Sequence, residues 1–288
     1  MPYFENENLK LYYEDVGKGE SIIANHGLSE NTIYWSESGV TAKLAEKYRV
    51  ISIDMRAHGR TVVEGEPYGY DADTMASDFD ALADHLGIDK FHILTHATGG
   101  MVGVRYAMTR SERLISLLLI DTGSATTPDY YIKNPPPTQT EEQIEAIREW
   151  VLNASVDEKI QASRQNPGEF LFKMAEHPDN EKMWDIWKEV QRVQDPQAIM
   201  HFRSVFYTDP DPRVEGLRQI KCPTLILIGE FDIVFLNGSK IMAKEIPDNR
   251  HVIMSGVGHM TNIEDPEGFM KELLDFLETV KQTGKANR

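Results

Sequence analysis

The chain is poor in cysteine. Its 288 residues include one, Cys222, which has no second cysteine for an intrachain disulfide. This absence excludes a disulfide-stabilised scaffold and fits a protein of the reducing cytoplasm. Cys222 precedes Pro223 at the start of an apolar run, so we interpret it as a core residue rather than a reactive thiol.

Positive charge is also scarce. The chain has 46 acidic and 30 basic side chains, which gives a formal net charge of -16. Such a surface repels phosphate backbones and anionic lipids, so we expect neither nucleic acid nor a membrane as a partner. No uncharged apolar run approaches membrane-spanning length, and the first residues lack the pattern of a signal peptide. We therefore expect a soluble cytoplasmic protein, and the sequence leaves its oligomeric state open.

Short apolar runs alternate with amphipathic stretches along most of the chain, as in "SIIANHG", "VTAKLAEKY", "RVISIDM", "DTMASDFDALADHLG" and "FHILTHA". This rhythm predicts an α/β fold with a mostly parallel central sheet flanked by helices. Helical spacing of Met75, Phe79 and Leu82 predicts one helix over residues 71–86, ended by Gly87. The run "LISLLLID" at 114–121 is apolar on both faces, which is typical of a strand covered on both sides.

The alternation stops near residue 123 and resumes near residue 213. Between them lie "PPP" and helical stretches such as "EEQIEAIREWVL", with no strand pattern. We therefore predict an α/β core formed by residues 1–123 and 213–288, with a helical cap at 124–212. The chain then closes with a predicted helix from 266 to 280.

One turn carries a specific pattern. The stretch "FHILTHATGGM" at 91–101 combines an apolar strand, a turn flanked by small residues, and an apolar helix, which is the context of a nucleophile elbow. Gly99 and Gly100 let the helix approach the strand closely. The central residue, Ala97, has no reactive atom.

Two further residues complete the pattern of an acyl-transfer site. Asp232 in "GEFD" and His259 in "GVGH" each follow a predicted strand, so both are expected at the carboxyl edge of the sheet, beside the elbow. A histidine base oriented by a carboxylate is what activates a serine hydroxyl. Asp121, at the end of the preceding strand, is an alternative acid. Backbone N–H groups of Leu28 and Thr98 are the predicted oxyanion hole.

Taken together, "NHGL", "DMRAHGRT", "THATGG", "GEFD" and "GVGH" resemble the α/β-hydrolase superfamily, in its capped branch of esterases, lactonases and carbon–carbon bond hydrolases. The resemblance covers nearly the whole chain. Three residues depart from the family pattern, namely Ala57, Thr61 and Thr95. The resemblance implies a nucleophile at position 97, an Asp232–His259 pair behind it, and no metal or organic cofactor.

Alanine at position 97 admits three interpretations. The first is a Ser→Ala change in an otherwise intact serine hydrolase, and we favour it because the acid, the histidine and both oxyanion positions remain. The second is a catalytically silent ligand-binding receptor on the same fold. The third is a histidine-based chemistry such as that of cofactor-free dioxygenases that resemble this fold. Thr98 argues against a missing aspartate, since enzymes with an aspartate nucleophile often carry tryptophan directly after it.

The predicted cap is rich in aromatic and methionine side chains, which suit an apolar pocket. Trp184 and Trp187 are the candidates for substrate contact. We therefore expect a medium-sized apolar or aromatic carboxylic ester or lactone, cleaved through an acyl-enzyme. The same constellation also serves carbon–carbon bond hydrolysis. The negative net charge disfavours strongly anionic substrates, unless a local arginine compensates for it.

Overall fold

A computed structural model of the chain describes residues 2–63 and 67–288. Its strands are β1 (Tyr3–Asn6), β2 (Leu9–Gly17), β3 (Ser21–Asn25), β4 (Arg49–Ile53), β5 (Val62–Val63), β6 (Phe91–His96), β7 (Leu114–Ile120), β8 (Thr224–Gly229) and β9 (Asn249–Met254). They form one sheet in the order β1-β2-β4-β3-β6-β7-β8-β9, and β5 pairs with β2. Along this path the pairs from β4–β3 onward are parallel, whereas the pairs β1–β2, β2–β4 and β2–β5 are antiparallel. The predicted α/β class with a mostly parallel sheet is confirmed.

The helices are α1 (Thr32–Glu37), α2 (Val40–Leu44), α3 (Ala72–Met75), α4 (Ser77–His85), α5 (Ala97–Arg110), α6 (Asp129–Lys133), α7 (Glu141–Asn153), α8 (Val156–Gln165), α9 (Gly168–Glu176), α10 (Asn180–Gln191), α11 (Pro196–Phe206), α12 (Val214–Leu217), α13 (Leu236–Glu245), α14 (Thr261–Glu264) and α15 (Pro266–Thr283). Among the described residues, no helix is long and apolar enough to cross a membrane.

Strand β7 shows how the sheet separates two cores. Leu117 and Leu119 belong to one buried cluster, while Leu118 and Ile120 belong to the other. The run is apolar on both faces because each face is covered by packed side chains. Cys222 is buried beside the first cluster, as expected of a core residue.

The prediction of one helix over residues 71–86 is wrong in one detail. The structure has two helices, α3 and α4, which meet at Ala76. The apolar stripe survives the break, since Met75, Phe79 and Leu82 are all buried. The closing helix α15 begins at Pro266 as expected and extends to Thr283.

The segment between β7 and β8 is helical. Helices α6 to α11 lie within residues 124–212, a range that the structure describes in full and in which it places no strand. Side chains from α8 to α10 join one core cluster, and Phe202 and Phe206 of α11 join the other. This helical segment therefore packs on residues from both faces of the sheet.

The parallel pairing fixes where the loops lie. Asn25 at the end of β3 pairs with Thr95, and His96 at the end of β6 pairs with Ile120. Farther along the sheet, Gly229 at the end of β8 pairs with Met254. The loops that follow β3, β6, β8 and β9 consequently meet at one edge of the sheet.

Candidate active site

Ala97 occupies the sharp turn between β6 and α5. Its φ is 45°, in the left-handed region that side chains with a Cβ seldom adopt. A non-glycine residue there costs on the order of 1 kcal/mol and persists only where its surroundings impose it. The strained turn expected of a nucleophile elbow is therefore present, although its central residue carries only a methyl group.

Close packing and hydrogen bonds hold the turn. The Thr122 hydroxyl donates to the Ala97 carbonyl at 2.6 Å, and the Gly99 N–H donates to the His26 carbonyl at 3.0 Å. A Cβ on Gly99 would lie 2.4 Å from that same carbonyl oxygen. Helix α5 can approach β3 so closely only because residue 99 is glycine.

Asp232 and His259 meet beside this turn. Asp232 lies on the loop between β8 and α13, and His259 lies between β9 and α14. One carboxylate oxygen of Asp232 accepts from the Phe235 N–H at 2.9 Å, and the other lies 2.8 Å from His259 Nδ1. Asp232 is fully buried. Because Nδ1–H donates to the carboxylate, Nε2 is the ring nitrogen left to act as a base.

The His259 loop is held from two sides. The Glu264 carboxylate accepts the N–H groups of Gly258 and Met260. On the other side, His96 Nε2 lies 3.0 Å from the His259 carbonyl oxygen. The backbone on both sides of His259 is therefore held by hydrogen bonds, which helps to fix the position of the imidazole.

The alternative acid, Asp121, has other partners. Its carboxylate accepts from the Gly229 N–H at 3.0 Å and from the Thr261 hydroxyl at 2.7 Å. Burial raises the pKa of Asp121, and the nearby Asp232 carboxylate raises it further. The structure therefore pairs His259 with Asp232 and uses Asp121 to join the loops around it.

The predicted oxyanion positions flank Ala97. Leu28 follows β3, Thr98 follows Ala97, and both border the same cavity. The neighbouring His26 braces the first loop, since its Nε2 accepts the Met55 N–H at 3.0 Å while Nδ1 lies 2.8 Å from the Gly27 carbonyl. Burial lowers the pKa of His26 well below its usual range, so this ring is neutral.

His96 is a buried cation that sequence analysis missed. Its Nδ1 lies 3.0 Å from Glu30 Oε2 and its Nε2 lies 3.0 Å from the His259 carbonyl. Both neighbours accept hydrogen bonds, so both ring nitrogens must carry protons. Burial alone would lower the pKa of His96, but Glu30 and Asp121 outweigh it and raise the pKa to about 9. In the sequence, the feature that could have pointed to His96 is its position directly before Ala97.

A cavity of about 670 Å³ opens above these groups. Its wall on the sheet side includes Leu28, Ala97, Thr98 and His259. The helical segment supplies the opposite wall, with Pro128, Tyr131, Pro136, Pro167, Gly168, Glu169, Phe170, Leu171, Trp187, Arg203 and Tyr207. The volume lies in the range of small-molecule sites.

Aromatic rings surround the imidazole inside this cavity. The rings of Phe170 and Phe235 lie 4.5 and 5.5 Å from His259, measured between centroids. The Tyr207 hydroxyl lies 2.6 Å from the Thr98 hydroxyl, which ties the end of α11 to the elbow. Burial raises the pKa of Tyr207 to about 12, so its phenol stays protonated.

The two candidate tryptophans have different positions. Trp187 borders the cavity, whereas Trp184 is 2% exposed and absent from the cavity wall. The Arg164 guanidinium lies over the Trp184 ring, 5.4 Å from its centroid. Of the two rings, Trp187 is the one that reaches the cavity in this structure, and contact of either ring with a substrate stays a prediction.

Comparison with known proteins gives consistent matches. A family model described as the alpha/beta hydrolase fold matches residues 20–266. A protein of Pantoea ananatis that carries the name of carbamate hydrolase RutD is 26% identical over 276 residues, which cover 93% of each chain.

Solved structures share the fold at lower identity. A carboxylesterase structure from Nitrososphaera gargenis has a TM-score of 0.79 at 23% identity and covers 98% of this chain and 99% of its own. The enol-lactonase of Burkholderia xenovorans has a TM-score of 0.74 at 20% identity and covers 96% of this chain and 100% of its own.

Proposed function

Because this chain belongs to the α/β-hydrolase family, we propose that it has the site of a serine hydrolase for carboxylic esters or lactones, with Ala97 in the place of the nucleophilic serine. The observation that carries the proposal is the 2.8 Å contact between His259 Nδ1 and Asp232, beside a cavity that the left-handed residue 97 also borders. A strained turn and an oriented base next to each other are what activation of a hydroxyl requires.

The reaction follows from this arrangement once a serine hydroxyl is present. His259 Nε2 takes the hydroxyl proton while Oγ attacks the carbonyl carbon, and the N–H groups of Leu28 and Thr98 donate to the resulting oxyanion. His259 then gives its proton to the leaving alkoxide. Water attacks the acyl-enzyme by the same route, and Asp232 keeps the imidazole oriented throughout.

The cavity supports a medium-sized apolar or aromatic substrate. Most of its wall is apolar, the rings of Phe170 and Phe235 lie close to His259, and Trp187 also lines the cavity. An ester group would fit the polar positions at the elbow, while its apolar part would contact these rings. The carboxylesterase and the enol-lactonase of the same fold support an ester or lactone as the class of substrate.

Ala97→Ser is the direct test. With 4-nitrophenyl butanoate as substrate, we expect the serine variant to exceed the parent chain by roughly 10³-fold or more in kcat/KM, the scale of a lost nucleophile. The double variant Ala97→Ser with His259→Ala is the control and should return to the parent rate. Release of 4-nitrophenol measures both.

A ligand-binding receptor is the second candidate, because alanine at the elbow leaves a cavity without a nucleophile. Equal, negligible rates for the parent and the serine variant would favour it. Oxygen consumption with a heteroaromatic compound that depended on His259, and was the same with alanine or serine at position 97, would favour a dioxygenase instead.

A further inference from the structure

Arg203 differs from every other arginine of the chain. Each of the others has a carboxylate oxygen within 3.6 Å. Arg203 has no such partner among residues 2–63 and 67–288, although acidic side chains outnumber basic ones by 46 to 30. Arg203 is exposed to solvent, so its guanidinium is accessible to an anion from outside the chain.

Its position is in the wall of the substrate cavity. Arg203 lies on α11, one helical turn before Tyr207, whose hydroxyl contacts Thr98 beside the elbow. Burial raises the pKa of Tyr131 and of Tyr207, and the positive charge of Arg203 partly opposes this effect in both, while Glu169 raises the pKa of Tyr131 further. The guanidinium therefore acts on the cavity itself, along the side that leads to the elbow.

The other charged groups of the cavity form no ion pair with Arg203 within the described part of the chain. Glu30 is buried and bonded to His96 and to the Gly27 N–H. Glu169 also borders the cavity and has no ion pair within the described part of the chain. An unpaired carboxylate is unremarkable in a chain with a net charge of -16, whereas an unpaired guanidinium is not.

From this we infer that the substrate carries one carboxylate at a distance from its ester or lactone group, and that Arg203 binds this carboxylate. The planar guanidinium fork matches a carboxylate with two parallel hydrogen bonds. A single negative charge fits better than a doubly charged phosphate, because Glu169 lies in the same cavity and repels added charge. The inference rests on the proposed function and narrows it to monoanionic esters or lactones.

The test compares a charged and a neutral ester of equal length. In the Ala97→Ser background, mono-4-nitrophenyl adipate and methyl 4-nitrophenyl adipate share the acyl chain and differ at its far end, which is a carboxylate in the first and its methyl ester in the second. We expect Arg203→Gln to lower the ratio of kcat/KM between the charged and the neutral ester about tenfold, as for a partly exposed charge-assisted pair. Added salt should lower the same ratio while Arg203 is present.

Two matched variants serve as controls. Arg148→Gln removes an exposed arginine of α7 that does not border the cavity, and the ratio should stay unchanged. Glu169→Gln removes the opposing carboxylate of the cavity wall, and the ratio should rise. Loss of the preference in Glu169→Gln rather than in Arg203→Gln would overturn the inference.

The outcomes separate this inference from the proposed function. Cleavage of both esters with a ratio that Arg203→Gln leaves unchanged would overturn the carboxylate site and keep the hydrolase. Failure of the serine variant to cleave either ester would overturn the hydrolase. In that case, calorimetry of the Ala97 chain with monomethyl adipate tests whether Arg203 binds a carboxylate. A dissociation constant about tenfold higher in Arg203→Gln supports it, and equal constants overturn it.

Discussion

The cavity has two walls of different construction. On the sheet side, the polar groups are buried and have defined partners, as the Asp232 carboxylate has in His259 Nδ1 and the Phe235 N–H. On the helical side, Trp187 packs in the wall while Arg203 is exposed and has no ion pair among the described residues. Under the proposed function, we expect the chemistry to depend on the sheet edge and substrate choice to depend on the helical segment.

The difference has a physical cause. Parallel strands fix the positions of the loops at their ends through backbone hydrogen bonds, and those loops then bond to one another. In the segment 124–212, helices α8 to α11 are fixed mainly by burial of apolar side chains, whereas α6 and α7 have no buried residue. Burial is non-directional, so away from the Tyr207–Thr98 contact this wall can change its side chains without disturbing the elbow.

The largest effect should come from the sheet wall. In the Ala97→Ser background, we expect Asp232→Asn to lower kcat by roughly 10⁴-fold, because an amide can hold the imidazole with its proton on the wrong nitrogen. Asp121→Asn should cost far less, since Asp121 bonds to Gly229 and Thr261 rather than to His259. Rates with 4-nitrophenyl butanoate measure both, and circular dichroism checks that both variants fold. The reverse ranking of the two variants would show that Asp121 is the orienting acid.

Sequence patterns predicted the sheet wall well. Asp232, His259, Leu28 and Thr98 each follow a strand, and alternation of apolar runs is enough to locate strands. The antiparallel β1 and β2 were not predicted, because β2 mixes charged residues with its buried positions Leu9 and Leu11.

From the sequence, the helical wall was predictable as a helical segment but not residue by residue. Helical periodicity says which residues share a face, but it does not distinguish the face on the core from the face on a cavity. Trp184 and Trp187 therefore looked equivalent, and the sequence analysis did not single out Arg203. His96 was missed for a different reason, since its charge depends on Glu30 and Asp121, which only the folded chain brings to it.

A second effect should appear in the pH dependence of stability. The pKa of His96 is about 9 in the folded chain and near 6.5 when unfolded, so the folded state holds the proton more tightly. The stabilisation is complete below pH 6.5 and is lost as pH rises through 9. It amounts to something on the order of 3 kcal/mol. Urea unfolding at pH 6, 7.5 and 9 measures it, and His96→Gln should flatten this part of the profile.

His92→Gln is the matched control for this measurement. His92 is also buried, but burial lowers its pKa to about 4, so it does not titrate above pH 6.5 in the folded chain. The variant should keep the slope of the parent between pH 6.5 and 9. Parallel profiles for the parent and His96→Gln would mean that His96 is neutral in the folded protein.

The smallest effect should come from the helical wall and should be one of binding. The Ala97 chain lacks an attacking atom, so it should bind an aryl ester such as phenyl butanoate without cleaving it. Trp187→Ala removes ring surface from the cavity wall and should weaken this binding by about 1 to 2 kcal/mol. Trp184→Phe is the control on the same helix, and it should lower the free energy of unfolding while leaving binding unchanged, because that ring lies in the core. Calorimetry measures the affinities, and mass analysis of the recovered ester tests whether it stays intact. Unchanged affinity in Trp187→Ala, or a loss of affinity in Trp184→Phe at preserved stability, would show that the division between core and cavity on α10 is misplaced.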